Sequence, residues 1–400
     1  MDFAVPAELR ELCQRVRMFI RDEVIPLEPL ESGEDGLADD VLAAVRRKAR
    51  QAGLWAPQLP REFGGLGLEP LGLCMVFEEA GRSTLGALAL HCAAPDEGNM
   101  HLLLRAATAE QKQKYLEPLA RGETRSCFAM TEPAPGAGAD PTLMRTHAEK
   151  RDSRWVINGH KWFATGAKGA AFAIVAAVTD AAVPAKHGVT LFLIDAGTPG
   201  YDVVRTIPTM TGGGQGGHCE VRLTNCEAVD SQILGGLGNG FKLMQVRLGP
   251  ARLTHCMRWL GAAARATEIA RRYALERQAF GKLLSEHQAV QWMFADSAID
   301  IHASRLIVLE AAWKLEHGDE ARQETSICKV FVAEAVGRVI DRAVQICGAL
   351  GISCDTILER FYRDVRAFRI YDGPSEVHRM VIARQILKGS SQQEMTLPRT

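Results

Sequence analysis

The sequence has no CxxC pair, no run of 18 or more apolar residues and no block of like charge. Each absence removes a class of protein. Without the apolar run there is no membrane-spanning helix to expect. The formal net charge is −1 and the basic residues are dispersed, so neither a nucleic acid nor a membrane surface is indicated as partner. The ten cysteines stand singly, at Cys13, Cys74, Cys92, Cys127, Cys219, Cys226, Cys256, Cys328, Cys347 and Cys354. In a chain of 400 residues that pattern reads as buried free thiols in a reducing compartment. The first dozen residues lack both a basic n-region and an Arg/Ser-rich, acid-poor composition, so neither a secretory nor a transit signal is read, and the cytoplasm is the expected location. No GxSxG or HExxH occurs, which sets aside the common hydrolase and zinc-protease signatures.

What is present is an ordinary globular composition, 47% apolar and 24% charged, arranged in three textures. From about Pro6 to Arg121 apolar residues recur at helical spacing, as in Leu9, Leu12, Val16 and Phe19, with a loop at PQLPREFGGLG, Pro57 to Gly67. One helix is expected through Ala87–Ala106. From Ser126 to Leu234 short β-rich runs appear: Phe172–Val178, Val189–Ile194, Tyr201–Val204 and Cys219–Leu223. Trp155–Ile157, then Asn158-Gly159, then Lys161–Phe163 predicts a hairpin with a type I′ turn. From about Gly240 three helices near 30 residues each are expected, Phe241–Ala274, His287–Glu316 and Glu320–Cys347, which implies a bundle. The fold class is therefore α+β and multidomain: a helical domain over 1–123, an antiparallel β domain over 124–236, a four-helix-type bundle over 237–390 and a disordered tail over 391–400. Strands and helices do not alternate, so a doubly wound sheet is excluded.

Four segments carry candidate chemistry. CFAMTEPAPGAGAD, Cys127 to Asp140, leaves a β run for a Gly/Pro loop whose N–H groups, with the Thr131 hydroxyl, suit a flavin edge or a phosphate, or form an ordinary surface loop. In HKWFATGA, His160 to Ala167, strand alternation places Trp162 and Phe163 on opposite faces, and Phe163 with Thr165 on one face. That face suits a planar cofactor or simple core packing. RQAFGKLLSEHQ, Arg277 to Gln288, offers a cation and amides for a diphosphate, or a solvated turn. In YDGPSEVHR, Tyr371 to Arg379, Asp372 precedes Gly373-Pro374 between two helices, as a reactive carboxylate or a turn former. GGLGNG, Gly235 to Gly240, lies outside any βαβ unit and reads as a linker. His218-Cys219 and His255-Cys256 are neighbours whose side chains diverge, so no metal site is expected.

Taken in order, MTEP (Met130–Pro133), VINGHKWFATGA (Val156–Ala167), RQAFGKLLSEHQ, QICGALG (Gln345–Gly351) and YDGPSEVHR resemble the acyl-CoA dehydrogenase family over residues 5 to 388. The resemblance implies FAD as cofactor, held between the β domain and the C-terminal bundle and completed by a second subunit of a homodimer or homotetramer. It places Phe128, Met130, Thr131, Phe163 and Thr165 at the isoalloxazine. It puts Arg277, Phe280, Gln288, Gln345 and Gly348 at the adenosine diphosphate half, from the neighbouring subunit. Asp372 falls at the catalytic base, where most members carry glutamate, with Pro374 and Glu376 as cofactor contacts. Arg252 and Ala139 match positions near the CoA moiety of the substrate. Some members place the base just before the arginine matched by Arg252; here that residue is Ala251, which cannot act.

The chemistry so implied is α,β-dehydrogenation of an acyl-CoA, with removal of an α-proton eased by hydrogen bonds to the thioester oxygen, and electrons passed on to electron-transfer flavoprotein. Aspartate is one methylene shorter than glutamate, about 1.5 Å on the scale of a C–C bond. The loop after MTEP is two residues longer, through Ala134 and Pro135, and a family serine is Ala139, so simple fatty-acid oxidation does not follow. An acyl-CoA oxidase or flavin monooxygenase of the same fold would differ in fast reoxidation by oxygen. A non-catalytic acyl-CoA-binding or assembly subunit would differ in leaving its flavin unreduced by acyl-CoA.

Overall fold

The computed structural model describes residues 5–31, 36–212 and 214–388. The tail expected over 391–400 lies outside the described residues. The chain forms two compact units that divide between Ala251 and Arg252.

The first unit begins with helices α1 (Ala7–Phe19), α2 (Asp39–Gln51), α3 (Pro70–Ala80), α4 (Gly86–Ala89), α5 (Asp96–Ala106), α6 (Ala109–Gln111) and α7 (Glu117–Ala120). Local rules account for several. In α2, Asp39 and Asp40 sit in the first turn and Lys48 and Arg50 in the last, matching the helix dipole, while Leu42, Val45, Arg46 and Ala49 bury one face. Pro70 opens α3, where its missing N–H costs nothing. The single helix expected through Ala87–Ala106 is two, α4 and α5. The chain leaves helical geometry at His91, whose φ is +58°, because its ring stacks on Trp55 at 4.4 Å and its Nε2–H donates to the Leu119 carbonyl at 2.7 Å. Burial of that ring drives its pKa down to about 3, so it packs as a neutral group.

The same unit holds strands β1 (Ser126–Ala129), β2 (His147–Arg151), β3 (Arg154–Thr165), β4 (Phe172–Val178), β5 (Val189–Asp195), β6 (Tyr201–Thr206), β7 (His218–Val229) and β8 (Ile233–Leu234), with a short helix α8 (Ala185–Gly188) before β5. The order is β6-β7-β3-β2-β4-β5-β8, and β1 pairs with β4. Most pairings are antiparallel; β1–β4 and the single bridge β2–β4 are parallel. The apolar runs read as strands became β4 and β5, six of whose seven residues are buried in each. Their core includes Trp155 and Phe192, whose rings lie 5.8 Å apart.

The hairpin expected at Asn158-Gly159 does not form. β3 continues through it with a register shift against β7 between Ile157 and Gly159, and the turn lies earlier, at Arg151–Arg154, with Asp152 at φ +54°. Gly159 serves close approach instead: a Cβ there would lie 2.2 Å from Thr146 Oγ1. Replacing Gly159 by alanine is expected to cost about 1–3 kcal/mol by overpacking, read as a lower denaturant midpoint at unchanged slope. Alternation also fails further along β3. Its register against β7 shifts between Lys161 and Ala164, so both are buried, and Phe163 takes φ +53° in the bulge.

The second unit holds the rest of α9 (Gly240–Glu276), then the two-stranded β9 (Gln278–Ala279) and β10 (Lys282–Leu283), and helices α10 (Gln288–Glu316), α11 (Arg322–Cys347), α12 (Ala349–Ile352), α13 (Leu358–Phe368) and α14 (Ser375–Lys388). The three long helices appear where helical spacing placed them. α11 is the most buried and packs against α10, α13 and α14. Asp300 of α10 accepts from Arg338 at 2.6 Å and Arg342 at 2.8 Å, tying α10 to α11. Among the described residues no helix is long and apolar enough to cross a membrane.

Candidate active site

In the first unit the ends of β1 and β3 meet. The Trp162 N–H donates to the Thr131 carbonyl at 2.8 Å, which brings Phe128, Met130 and Thr131 alongside Phe163 and Thr165. Below them Lys161 is wholly buried; its ammonium donates to Glu132 Oε1 at 2.9 Å and to the Met130 carbonyl at 3.1 Å. Glu132 also accepts from the backbone N–H of Arg145 at 2.7 Å and Thr146 at 2.8 Å. Burial alone would raise the Glu132 pKa, but Lys161 and these N–H groups outweigh it and hold the carboxyl near 2. Burial pulls Lys161 down to about 8 against the attraction of Glu132, so both stay ionised at neutral pH.

Phe128 is backed by a second network. Arg247 lies 4.2 Å from its ring centroid and donates to Asn99 Oδ1 at 2.7 Å. Asn99 Nδ2 donates to Ser126 Oγ at 2.9 Å, and Asp96 accepts from the same hydroxyl at 2.7 Å. Phe163 remains 42% exposed, its ring edge-on to Trp162 at 5.0 Å and 5.7 Å from His218. Thr165 Oγ1 is 2.8 Å from His218 Nδ1, and burial keeps that imidazole neutral. Ala139 is exposed on the loop between β1 and β2.

In the second unit Asp372 sits between α13 and α14 with φ +53°, a conformation that aspartate tolerates better than longer side chains do, and Gly373 follows at φ +98°. A Cβ on Gly373 would lie 2.6 Å from His378 Nε2, so both backbone angle and space demand glycine. The loop is held by its carbonyls. Arg252 Nε donates to the Asp372 carbonyl at 3.0 Å, and His378 Nε2 approaches it at 3.2 Å. Lys329, buried in α11, donates to the Phe368 carbonyl at 2.5 Å and the Gly373 carbonyl at 3.4 Å. Trp259 Nε1 donates to Tyr371 Oη at 2.7 Å. The Asp372 carboxylate itself lies 3.1 Å, Oδ2 to Nε2, from His255, whose pKa burial and then Arg258 push down to about 4. Glu376 is exposed in the first turn of α14.

The remaining sequence candidates are surface groups of the second unit. Phe280 and Gly281, with φ +52° and +81°, form the turn between β9 and β10, and Phe280 is 98% exposed, beside exposed Arg277 and Gln288. Gln345 and Gly348 are exposed where α11 ends.

Family models cover nearly the whole chain: the acyl-CoA dehydrogenase N-terminal domain matches residues 6–123, the middle domain 127–226 and the C-terminal domain 238–387. The chain belongs to the acyl-CoA dehydrogenase family. It is 37% identical to "Probable acyl-CoA dehydrogenase FadE2" of Mycobacterium tuberculosis, over 96% of each protein. It is 35% identical to mouse "Acyl-CoA dehydrogenase family member 10", covering 98% of this chain but 38% of that one. Against human family member 11 it likewise spans only 50% of the relative's length. The solved "Structure of a putative acyl-CoA dehydrogenase from Mycobacterium abscessus" matches with a TM-score of 0.91 at 38% identity, over 97% of this chain and 100% of that one.

The family fold is the three-part fold described above, its members are oxidoreductases acting on CH–CH bonds, and its cofactor is FAD. The residues present suit that group. A half-exposed aromatic ring in strained backbone, flanked by a hydroxyl–imidazole pair and a polar loop end, forms a rigid face for a flat ring with a polar edge.

Sequence reasoning missed four groups: Glu132 and Lys161, Lys329, and His255. The MTEP and HKWF motifs contain the first pair, but nothing in either announces that they touch. For His255 a signal existed. Arg252, His255 and Trp259 recur at spacings of three and four on one helix face, and all three reach the 371–372 loop.

Proposed function

We propose that this enzyme desaturates the α,β bond of an acyl-CoA thioester, with Asp372 as the general base. The observation that carries the reading is a carboxylate on a loop pinned at three backbone carbonyls, at Phe368, Asp372 and Gly373, in the position the family gives its base. Fixing the backbone on both sides of Asp372 offsets what a short, soft side chain would lose in reach and aim.

In this reading Phe128, Met130, Thr131, Phe163 and Thr165 hold the isoalloxazine, with Pro374 and Glu376 as further contacts. Arg277, Phe280, Gln288, Gln345 and Gly348 serve the adenosine diphosphate half in a second copy of the chain. Bound FAD supplies the two-electron acceptor that takes the β-hydrogen. Asp372 takes the α-proton, and its own backbone N–H donates to the thioester oxygen, where negative charge develops. Arg252 steadies the Asp372 carbonyl while lying near the CoA end of the substrate. Ala139 lines that end. Electrons pass onward to electron-transfer flavoprotein.

A second copy is supported by the surface of the helical unit. Trp292 and Ile299 are 61% and 66% exposed, and with Leu306 they form a stripe at seven-residue spacing along α10.

The test is anaerobic incubation with butyryl- to palmitoyl-CoA and an artificial electron acceptor, followed by mass analysis of the thioester. The expected product is lighter by two hydrogens, with slow turnover when oxygen replaces the acceptor. Fast turnover with oxygen alone would indicate an oxidase; unchanged thioester throughout the panel would contradict the reading.

A further inference from the structure

Torsion about the last bond of an aspartate side chain is soft, so the plane of its carboxyl group is set by whatever bonds to it. For Asp372 a ring bonds to it: His255 Nε2 lies 3.1 Å from Oδ2, with both side chains largely buried. The other ring nitrogen, Nδ1, lies 3.1 Å from the Arg258 guanidinium. A guanidinium can only donate, so Nδ1 must accept, and a neutral ring then carries its proton on Nε2, facing Asp372. His255 and Arg258 are one turn apart on α9, so the helix itself sets their spacing.

We propose that His255, locked by Arg258 as the Nε2–H tautomer, is a positioning residue for the Asp372 carboxylate. It rests on the reading of Asp372 as base. The hydrogen bond from its Nε2–H orients the carboxyl group and favours its ionised form. Because the ring is neutral across the physiological range, as burial and Arg258 together require, the base is not faced there by an acidic imidazolium. Further ionisable groups around Asp372 act on the backbone of its loop. Arg252 from α9 and His378 from α14 meet its carbonyl, Lys329 from α11 bonds the carbonyls on either side, and Tyr371 adjoins it within the loop. They fix the backbone and set the local potential, and His255 bonds the carboxylate itself.

The test uses FAD-loaded protein, wild type and the variants His255→Ala, His255→Gln, Arg258→Met and Asp372→Asn. In ¹⁵N spectra of histidine-labelled wild type, the His255 signals, assigned by their loss in His255→Gln, should show a neutral ring protonated at Nε2. Arg258→Met should shift them toward the other tautomer. In anaerobic stopped flow with the fastest thioester of a butyryl- to palmitoyl-CoA panel, His255→Ala should slow flavin reduction roughly 10- to 100-fold, what one hydrogen bond to an ionised group is worth. Half-saturation should change by less than about threefold. The acid limb of the rate should move to higher pH, because the carboxylate loses a bond that favoured its charge. His255→Gln, whose amide N–H reaches similarly far, should restore most of the rate.

A charged or Nδ1-protonated ring in wild type overturns the proposal whether or not any thioester reacts. So does a His255→Ala rate within about threefold of wild type, or an equal loss in the alanine and glutamine variants. Should Asp372→Asn still reduce its flavin, the base assignment itself fails. A dead Asp372→Asn beside an unimpaired His255→Ala sinks only the positioning role.

Discussion

Replacing Asp372 by asparagine is expected to leave FAD bound and to slow reduction of the flavin by acyl-CoA by at least about 10²–10⁴-fold, the contribution general bases make. The substitution isolates the proton-accepting function. Asparagine has the same shape, tolerates the φ of +53° as readily, and offers an oxygen to the His255 Nε2–H. The bonds that hold the loop run to backbone carbonyls and are untouched by the change. A folded, yellow and inert variant is thus the expected outcome, measured as the single-turnover rate of absorbance loss under nitrogen. Retained reduction would remove Asp372 from its role, and would turn attention to Glu376, the nearby carboxylate in α14.

The second large effect concerns stability. Glu132→Gln should destabilise the first unit by about 3–5 kcal/mol, the usual result of leaving one partner of a buried ion pair alone. Lys161 is completely buried, and its two hydrogen-bond acceptors are Glu132 and the Met130 carbonyl. Neutralising Glu132 strands that ammonium and also weakens the grip on Arg145 and Thr146. Chemical denaturation followed by far-ultraviolet dichroism measures the loss. The double variant Glu132→Gln/Lys161→Met should recover much of it, because the buried charge is then gone. A single variant within about 1 kcal/mol of wild type would show that the pair is solvated. Since Met130 and Thr131 stand on this pair, a weaker hold on FAD should accompany the destabilisation.

How much of this was legible in the sequence differs by scale. The long helices were, because apolar residues at helical spacing and few breakers leave α9, α10 and α11 no competing structure. The strands β4 and β5 were legible as unbroken apolar runs, the mark of burial on both faces. Where the reading failed, a tertiary contact overrode local chemistry. Asn158-Gly159 carries the strongest short turn signal, yet Gly159 is glycine because Thr146, just before β2, crowds it. Simple alternation does not hold from Lys161 to Ala164, because a bulge inserts a residue there and leaves both buried. His91 breaks an expected helix to stack on Trp55.

The candidate site shows the same division. Asp372 was found through a motif, since its loop and glycine are encoded locally. His255 was set aside with its neighbour Cys256, because its partner lies on a distant helix connection and no local pattern announces the meeting. The buried pair Glu132–Lys161 was hidden for the same reason, each half sitting in a different motif.

The central claim is that this chain brings a carboxylate base and a flavin to one acyl thioester. Its most direct test is the visible spectrum of the FAD-loaded protein as butyryl- to palmitoyl-CoA thioesters are added without oxygen. At least one thioester is expected to abolish the flavin absorbance near-stoichiometrically, and Asp372→Asn to keep its spectrum unchanged with the same compound over the time wild type takes to bleach. A protein that stays colourless after incubation with FAD, or a flavin that no thioester bleaches, would contradict it.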